Sequence, residues 1–154
     1  MFAKDLYDFI VLLNKHKAEY LVVGGYAVGN YGYPRATGDL DVWLNPVKEN
    51  YVKIKSAVTE FGFPPSAFLT EKEFLSATLF RMGNPPLRIE ILTDISGVTF
   101  ANAYKNKVEK TIEGLNICYI GFDDLIKNKI ASGRPKDILD VKYFENINKG
   151  KKRK

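Results

Sequence analysis

Two aspartates lie two residues apart in a run with the pattern of a strand. The run is Asp39-Leu40-Asp41-Val42, and side chains two positions apart in a strand share a face, so both carboxylates would point away from Leu40 and Val42. Their Cα atoms would lie roughly 7 Å apart. Carboxylates held this close repel each other unless a cation lies between them, and oxygen ligands suit Mg²⁺ or Mn²⁺ that carries substrate phosphates. The pair therefore predicts a metal-assisted site.

A glycine pair precedes these acids. Residues 21–23 form a short, apolar, β-branched run that stops at Gly24-Gly25, and helix-compatible residues follow. This pattern predicts a buried strand that turns directly into a helix. Backbone N–H groups at the start of a helix favour an anion, and glycine allows a phosphate to approach the backbone. Gly24 and Gly25 are therefore predicted to bind phosphate.

Together these residues resemble the signature of the DNA-polymerase-β-like nucleotidyltransferase superfamily. The resemblance rests on Gly24-Gly25, thirteen intervening residues, and two acids separated by one apolar residue and followed by Val42. It is closest to small, stand-alone prokaryotic members, some of which belong to toxin–antitoxin or abortive-infection systems. Members of the superfamily often have serine where this chain has Gly25, but many small members have glycine there. The pattern requires a third acid on a later strand, and Glu90 in the alternating run 87–92 is the candidate.

The resemblance implies transfer of a nucleoside monophosphate from a nucleoside triphosphate to a hydroxyl group. Asp39, Asp41 and Glu90 would bind Mg²⁺ (or Mn²⁺), and Glu90 would help to deprotonate the acceptor. The acceptor would be an RNA 3′ end, tRNA included, or a protein side chain. Basic residues of the closing helices equally suit ion pairs with Asp137 or Asp140. The residues predicted to contact the nucleotide are Gly24, Gly25, Arg35, Thr37, Lys129, Arg134 and Lys136.

The elements that must position these residues indicate an α/β (α+β) fold. We expect a single nucleotidyltransferase domain over residues 1–148, with a mixed β-sheet flanked by helices and with C-terminal helices that close the site. A hairpin would deliver Glu90 to the sheet beside the two aspartates. Hydrophobic periodicity predicts helices over 2–16, 27–31, 47–60, 122–132 and 136–146, and strands over 20–23, 39–42, 76–82, 87–92, 108–113 and 115–120.

Composition limits the class of protein. With 154 residues, 45% of them hydrophobic and 27% charged, the chain has the make-up of one ordinary globular domain. It has no apolar run near the roughly 20 residues that span a bilayer, and its N-terminus lacks a signal-peptide pattern, so we expect a cytoplasmic protein without membrane contact. A single histidine, His16, excludes catalytic triads and histidine-based zinc sites. Cys118 is expected to be a small buried residue.

The net charge of +5 comes from the C-terminus. The five basic residues within 149–154 leave 18 basic against 18 acidic residues in the rest of the chain. This segment suits either contact with RNA phosphates or a disordered, solubilising tail.

Three functions stay open at this point. The first is transfer to RNA or protein, with the chain as one half of a toxin–antitoxin pair. The second is modification of a small molecule such as an aminoglycoside, which the neutral body disfavours. The third is a non-catalytic nucleotide-binding antitoxin or regulatory module, which the three intact acids disfavour.

Overall fold

Six strands form one mixed sheet in the computed structural model, which describes residues 3–33, 38–84 and 87–152. The spatial order of the strands is β3-β4-β2-β1-β6-β5. The pairs β2/β4 and β1/β6 are parallel, and the other pairs are antiparallel. The predicted mixed sheet is confirmed. The strands are β1 (Tyr20–Val23), β2 (Asp39–Leu44), β3 (Leu79–Asn84), β4 (Leu87–Leu92), β5 (Val108–Ile112) and β6 (Leu115–Tyr119).

Helices flank the sheet, and apolar spacing explains the first of them. Leu6, Phe9, Ile10 and Leu13 recur at the helical period, and all four are buried in the core. Each such side chain contributes about 1.5–3 kcal/mol on burial. The helices are α1 (Lys4–Lys15), α2 (Gly24–Asn30), α3 (Lys48–Phe61), α4 (Glu71–Leu75), α5 (Phe100–Lys105), α6 (Phe122–Ser132) and α7 (Pro135–Lys152), with a short 3₁₀ helix at Pro65–Ala67.

Two helix boundaries differ from the sequence predictions by three residues or more, and one helix was not predicted. Helix α2 begins at Gly24 rather than at residue 27, because the glycine pair itself forms the first turn. Helix α4 was not predicted, although Thr70 and Glu73 form a capping box that marks its start. The predicted end of the last helix at Asn146 is wrong, because α7 continues through Lys152 and includes the described part of the basic C-terminal segment.

The central strand β2 separates the core from the polar face. Leu40 and Val42 are fully buried, whereas Asp39 and Asp41 are only partly buried, as the alternation predicts. Trp43 is 1% exposed and packs edge-on against Phe100 at a ring-centroid distance of 5.1 Å, so it belongs to the core. Within the described residues, no helix combines the length and the apolar character needed to cross a bilayer.

Candidate active site

The glycine turn lies directly against one of the acids. Gly24 joins β1 to α2 with φ of +68°, a left-handed conformation that favours glycine. A Cβ atom built on Gly24 would overlap Oδ2 of Asp41 and would lie 2.9 Å from its Cγ. Strand β1 pairs with β2 so that Val23 faces Asp41, which places the turn beside this carboxylate. Glycine at position 24 is therefore required by both backbone conformation and space.

The third acid lies on the neighbouring strand. Strands β2 and β4 are parallel, and their register pairs Asp41 with Glu90. The β3/β4 hairpin delivers Glu90 to this position, and the predicted meeting of Glu90 with the two aspartates is confirmed at the level of strand register. The Glu90 side chain is 16% exposed, whereas that of Asp39 is 39% exposed. Of these two acids, Asp39 is the more exposed to solvent.

Burial and mutual repulsion change the protonation of this cluster. Burial is the main cause that raises the pKa of Asp41 to about 7, and a hydrogen bond to Glu90 and the charges of Glu90 and Asp39 add to it. For Glu90, partial burial acts upward, but hydrogen bonds from Arg81 and Asp41 outweigh it and lower the pKa. Near neutral pH the Asp41–Glu90 pair therefore shares one proton, which resides mainly on Asp41.

Two arginines that the sequence analysis did not select contact the acids. Arg81 lies opposite Glu90 in the β3/β4 register and donates from Nε to Glu90 Oε1 at 2.9 Å. Arg88 donates to Asp39 Oδ2 at 3.1 Å and lies 3.4 Å from Glu90 Oε1. The sequence carries a signal for Arg88, because it precedes Glu90 by two residues in the same strand and so shares its face.

Lys129 lies in α6 and is only 4% exposed. Its Nζ atom is 3.3 Å from Asp137 Oδ1 and 2.8 Å from Asp140 Oδ2, and both of these acids are buried. Its charge is therefore balanced inside the α6/α7 pair, which corresponds to the ion-pair alternative for this residue. A contact between Lys129 and a nucleotide stays a prediction.

Arg134 and Lys136 begin the closing segment near the acids. Arg134 donates from Nε to Asp137 at 2.8 Å, and its side chain is 74% exposed. Burial alone would raise the pKa of Asp137, but the hydrogen bonds from Arg134 and Ser132 and the charge of Lys129 lower it to about 2. Lys136 is exposed and close enough to lower the pKa of Asp41.

A cleft of about 370 Å³ joins these parts. Its lining includes Val23, Gly24, Asp41, Glu90, Lys129 and Arg134. Three larger cavities in the described part of the chain, of about 410, 500 and 610 Å³, contain none of the predicted site residues in their lining. The structure therefore brings together residues from the glycine turn, β2, β4 and the α6/α7 segment. Arg35 and Thr37 lie outside the described residues.

The acid cluster suits a divalent cation by its donor chemistry. Asp41 Oδ1 is buried and makes no hydrogen bond within the described residues, and carboxylate oxygens are the ligands that Mg²⁺ and Mn²⁺ prefer. In the same part of the chain, no three histidine, cysteine, aspartate or glutamate side chains are gathered closely enough to ligate one ion. Asp39 is instead held by Arg88. The three carboxylates can therefore serve as ligands of a divalent cation if Asp39 gives up its ion pair with Arg88 and binds the cation instead.

The raised pKa of Asp41 gives a measurable pH dependence of stability. Because the folded protein retains this proton between about pH 4 and pH 7 while the unfolded chain releases it, the free energy of unfolding falls as pH rises through this window. In EDTA, Asp41→Asn should remove this fall and stabilise the protein at pH 8 by about 2 kcal/mol, since one pKa unit corresponds to about 1.4 kcal/mol and the coupling to Glu90 shares the effect. Urea denaturation at pH 5 and pH 8 measures it.

The control for this prediction is Glu145→Gln, which removes an exposed carboxylate of α7. It should leave the difference between pH 5 and pH 8 unchanged. A native protein as stable at pH 8 as at pH 5, or an equal response of both variants, would contradict the assignment to Asp41.

The mixed sheet and its flanking helices form a nucleotidyltransferase-like fold. A crystal structure from Thermotoga maritima, described as a "putative nucleotidyltransferase", has a similar fold, with a TM-score of 0.62 over 92% of this chain and 90% of that chain. The two sequences are 18% identical, so the likeness concerns the fold. No curated protein matches the chain.

The sequence itself shows the family. Residues 4–149 match the family described as "Nucleotidyltransferase of unknown function (DUF6036)". The chain belongs to this family. The match spans α1 to α7, so it includes the glycine turn, the three acids and the closing helices.

Proposed function

We propose that this protein is a metal-dependent nucleotidyltransferase that moves a nucleoside monophosphate from a nucleoside triphosphate to a hydroxyl group on RNA or protein. The observation that carries the proposal is the contact between Gly24 and Asp41 within the three-acid cluster. A site built only for stability has no need of three acids on one face, or of a glycine turn pressed against the most buried of them.

The reaction requires a new bond between the acceptor oxygen and the α-phosphorus. The bond from the α-phosphorus to its bridging oxygen breaks, and pyrophosphate leaves with the electron pair. The acceptor also loses a proton. Glu90 would help to accept this proton, because it lines the cleft beside Asp41 and its lowered pKa keeps its carboxylate ionised near neutral pH.

The acidic and basic residues around the cleft would bind the metal ion and the triphosphate of the nucleotide. Asp39, Asp41 and Glu90 would hold Mg²⁺ or Mn²⁺, which supplies Lewis-acid stabilisation of charge on the attacking and leaving oxygens. Gly24 lines the cleft beside Asp41 and Gly25 follows it in the first turn of α2, so the phosphates would bind at this turn. Arg134 and Lys136 would neutralise charge that develops on pyrophosphate. Arg134 lines the cleft, and its hydrogen bond to Asp137 would help to orient its guanidinium there.

A macromolecular acceptor agrees with the distribution of basic residues. Helix α7 begins beside the cleft with Lys136 and continues through the exposed Lys142 and Lys149 into the basic C-terminal segment. Phosphate groups of RNA bind such residues with an affinity that falls as salt rises. The resemblance to small prokaryotic members adds a toxin–antitoxin role to the proposal, with a second protein as partner.

A labelling experiment tests the proposal. The native protein and the double variant Asp39→Asn/Asp41→Asn are incubated with each α-³²P nucleoside triphosphate, Mg²⁺ or Mn²⁺, total RNA and cell extract. We expect label in RNA or protein with the native protein and none with the double variant. The Glu145→Gln variant, which removes an exposed carboxylate elsewhere, should label as the native protein does.

The alternative functions correspond to other results of the same experiment. Label on a small molecule would overturn the macromolecular acceptor and support the aminoglycoside type. Triphosphate binding without any labelled product would overturn the enzyme and leave a nucleotide-binding regulatory module.

A further inference from the structure

Arg88 stands out among the charged residues of the site because one guanidinium contacts two of the three acids. Its terminal nitrogen lies 3.1 Å from Asp39 Oδ2 and 3.4 Å from Glu90 Oε1. The parallel register places Arg88 directly opposite Asp39, and strand alternation places it on the face of Glu90. The backbone pairing of β2 with β4 therefore brings Arg88 close to Asp39, and the alternation of β4 brings it close to Glu90.

The Arg88 bridge is also partly shielded from water. The Arg88 side chain is 27% exposed, and its Nε atom is buried without a hydrogen-bond acceptor among the described residues. Arg88 thus depends on these carboxylates for its polar contacts more than an exposed arginine would. Guanidinium groups bind carboxylates through directed hydrogen bonds, which are stronger than those between neutral groups.

Arg81 provides a comparison within the same site. It carries the same charge and contacts the same oxygen of Glu90 at 2.9 Å. However, its side chain is 55% exposed, about twice the exposed fraction of the Arg88 side chain. The two arginines therefore contribute equal charge to the cluster, but Arg88 is the more buried of the two and contacts acids of both β2 and β4.

We propose that Arg88 is an internal counter-cation that a divalent metal ion must displace from Asp39 and Glu90, so that Arg88 sets the affinity of the acid cluster for the metal. This inference rests on the metal dependence in the proposed function. The carboxylate oxygens that bind the guanidinium are the same groups that would ligate the ion. The free energy of metal binding is then reduced by the free energy needed to separate Arg88 from Asp39 and Glu90. When metal is scarce, the Arg88 guanidinium neutralises part of the negative charge of these acids.

The test measures Mn²⁺ binding to the full chain without nucleotide, by the electron paramagnetic resonance signal of free Mn²⁺. Arg88→Met removes the charge and supplies no hard oxygen ligand. It should bind Mn²⁺ about tenfold more tightly than the native protein, as expected for loss of one charge-assisted contact. Arg81→Met should change the affinity by less than about threefold, because an exposed pair contributes little. Equal affinity of Arg88→Met and native protein, or an equal gain in Arg81→Met, would overturn the inference.

Two further variants keep the result independent of folding and of the proposed function. If Arg88→Met does not fold, Arg88→Lys keeps the charge, but its ammonium lacks the fork that spans two carboxylates, and a gain of about threefold is expected. Asp41→Asn should abolish Mn²⁺ binding. If it does so while both Arg88 variants bind as the native protein does, the inference fails and the metal site stands. If neither the native protein nor any variant binds Mn²⁺, the metal dependence in the proposed function is wrong, and the inference about Arg88 is overturned with it.

Discussion

Replacement of Gly24 by alanine is expected to lower the free energy of unfolding by about 2–4 kcal/mol and nucleotide transfer by about 100-fold or more. Two costs add in the folded state. Alanine adopts the left-handed backbone at φ of +68° unfavourably, and its Cβ would overlap the Asp41 carboxylate. Either the turn or Asp41 must then move, and a shift of about 1 Å at a reacting centre is enough for the loss of transfer. Urea denaturation and the labelling rate measure the two effects.

Gly29 is the matched control for Gly24. It lies in the same helix, and a Cβ at this position would meet no atom within 4 Å. Gly29→Ala should therefore stabilise the protein slightly, by up to about 1 kcal/mol, since alanine favours the helix more than glycine does. Equal effects of the two substitutions would show that the contact with Asp41 has no special role.

The parts of the fold that were predicted correctly depend on short-range patterns. The bounds of β1 and β4 follow from apolar runs and alternation that end at glycine, proline or polar residues, and the structure has these strands where the sequence indicated. The face shared by Asp39 and Asp41 follows from the period of a strand alone. Such features need no knowledge of which strands become neighbours.

The contacts that the sequence did not reveal require tertiary pairing. Parallel strands β2 and β4 are separated by α3, α4 and β3, so no local signal states that Asp41 pairs with Glu90. The family resemblance supplied this meeting. It did not supply Arg88, whose contact with Asp39 exists only through the parallel register. Charged partners across a sheet are therefore the part of the site that sequence alone identifies least well.

The contacts of Lys129, which lies on a helix, also could not be predicted from the sequence alone. Its type and its position on a closing helix suggest a phosphate ligand, and the spacing to Asp137 and Asp140 equally suggests an ion pair. Only the packing of α6 against α7 determines that the ammonium is buried between these two acids. The energetic role of the lysine can be measured separately from its role in binding.

Lys129→Met is expected to destabilise the protein by about 3–5 kcal/mol, because removal of one partner leaves buried carboxylates without their cation. Asp140 lies 2.8 Å from the ammonium and is fully buried, so it should contribute most of this cost. Asp137 keeps the hydrogen bonds from Arg134 and Ser132. The measurement is urea denaturation at pH 7, with Lys127→Met as the control. Lys127 is an exposed lysine of the same helix, and its loss should change stability by less than about 0.5 kcal/mol.

A double-mutant cycle separates the contribution of Lys129 to stability from its contribution to triphosphate binding. Lys129→Met/Asp140→Asn removes both charges, and we expect it to regain about 2 kcal/mol relative to Lys129→Met. The coupling energy between the two residues is the effect of the double variant minus the effects of Lys129→Met and of Asp140→Asn. Additive effects would contradict the buried ion pair. The double variant then allows triphosphate affinity to be measured in a more stable protein than Lys129→Met that also lacks the ammonium. Because Nζ of Lys129 already contacts two carboxylates, an affinity equal to that of native protein would assign the lysine to the fold. A loss of affinity would show that a triphosphate competes with Asp137 and Asp140 for the same ammonium.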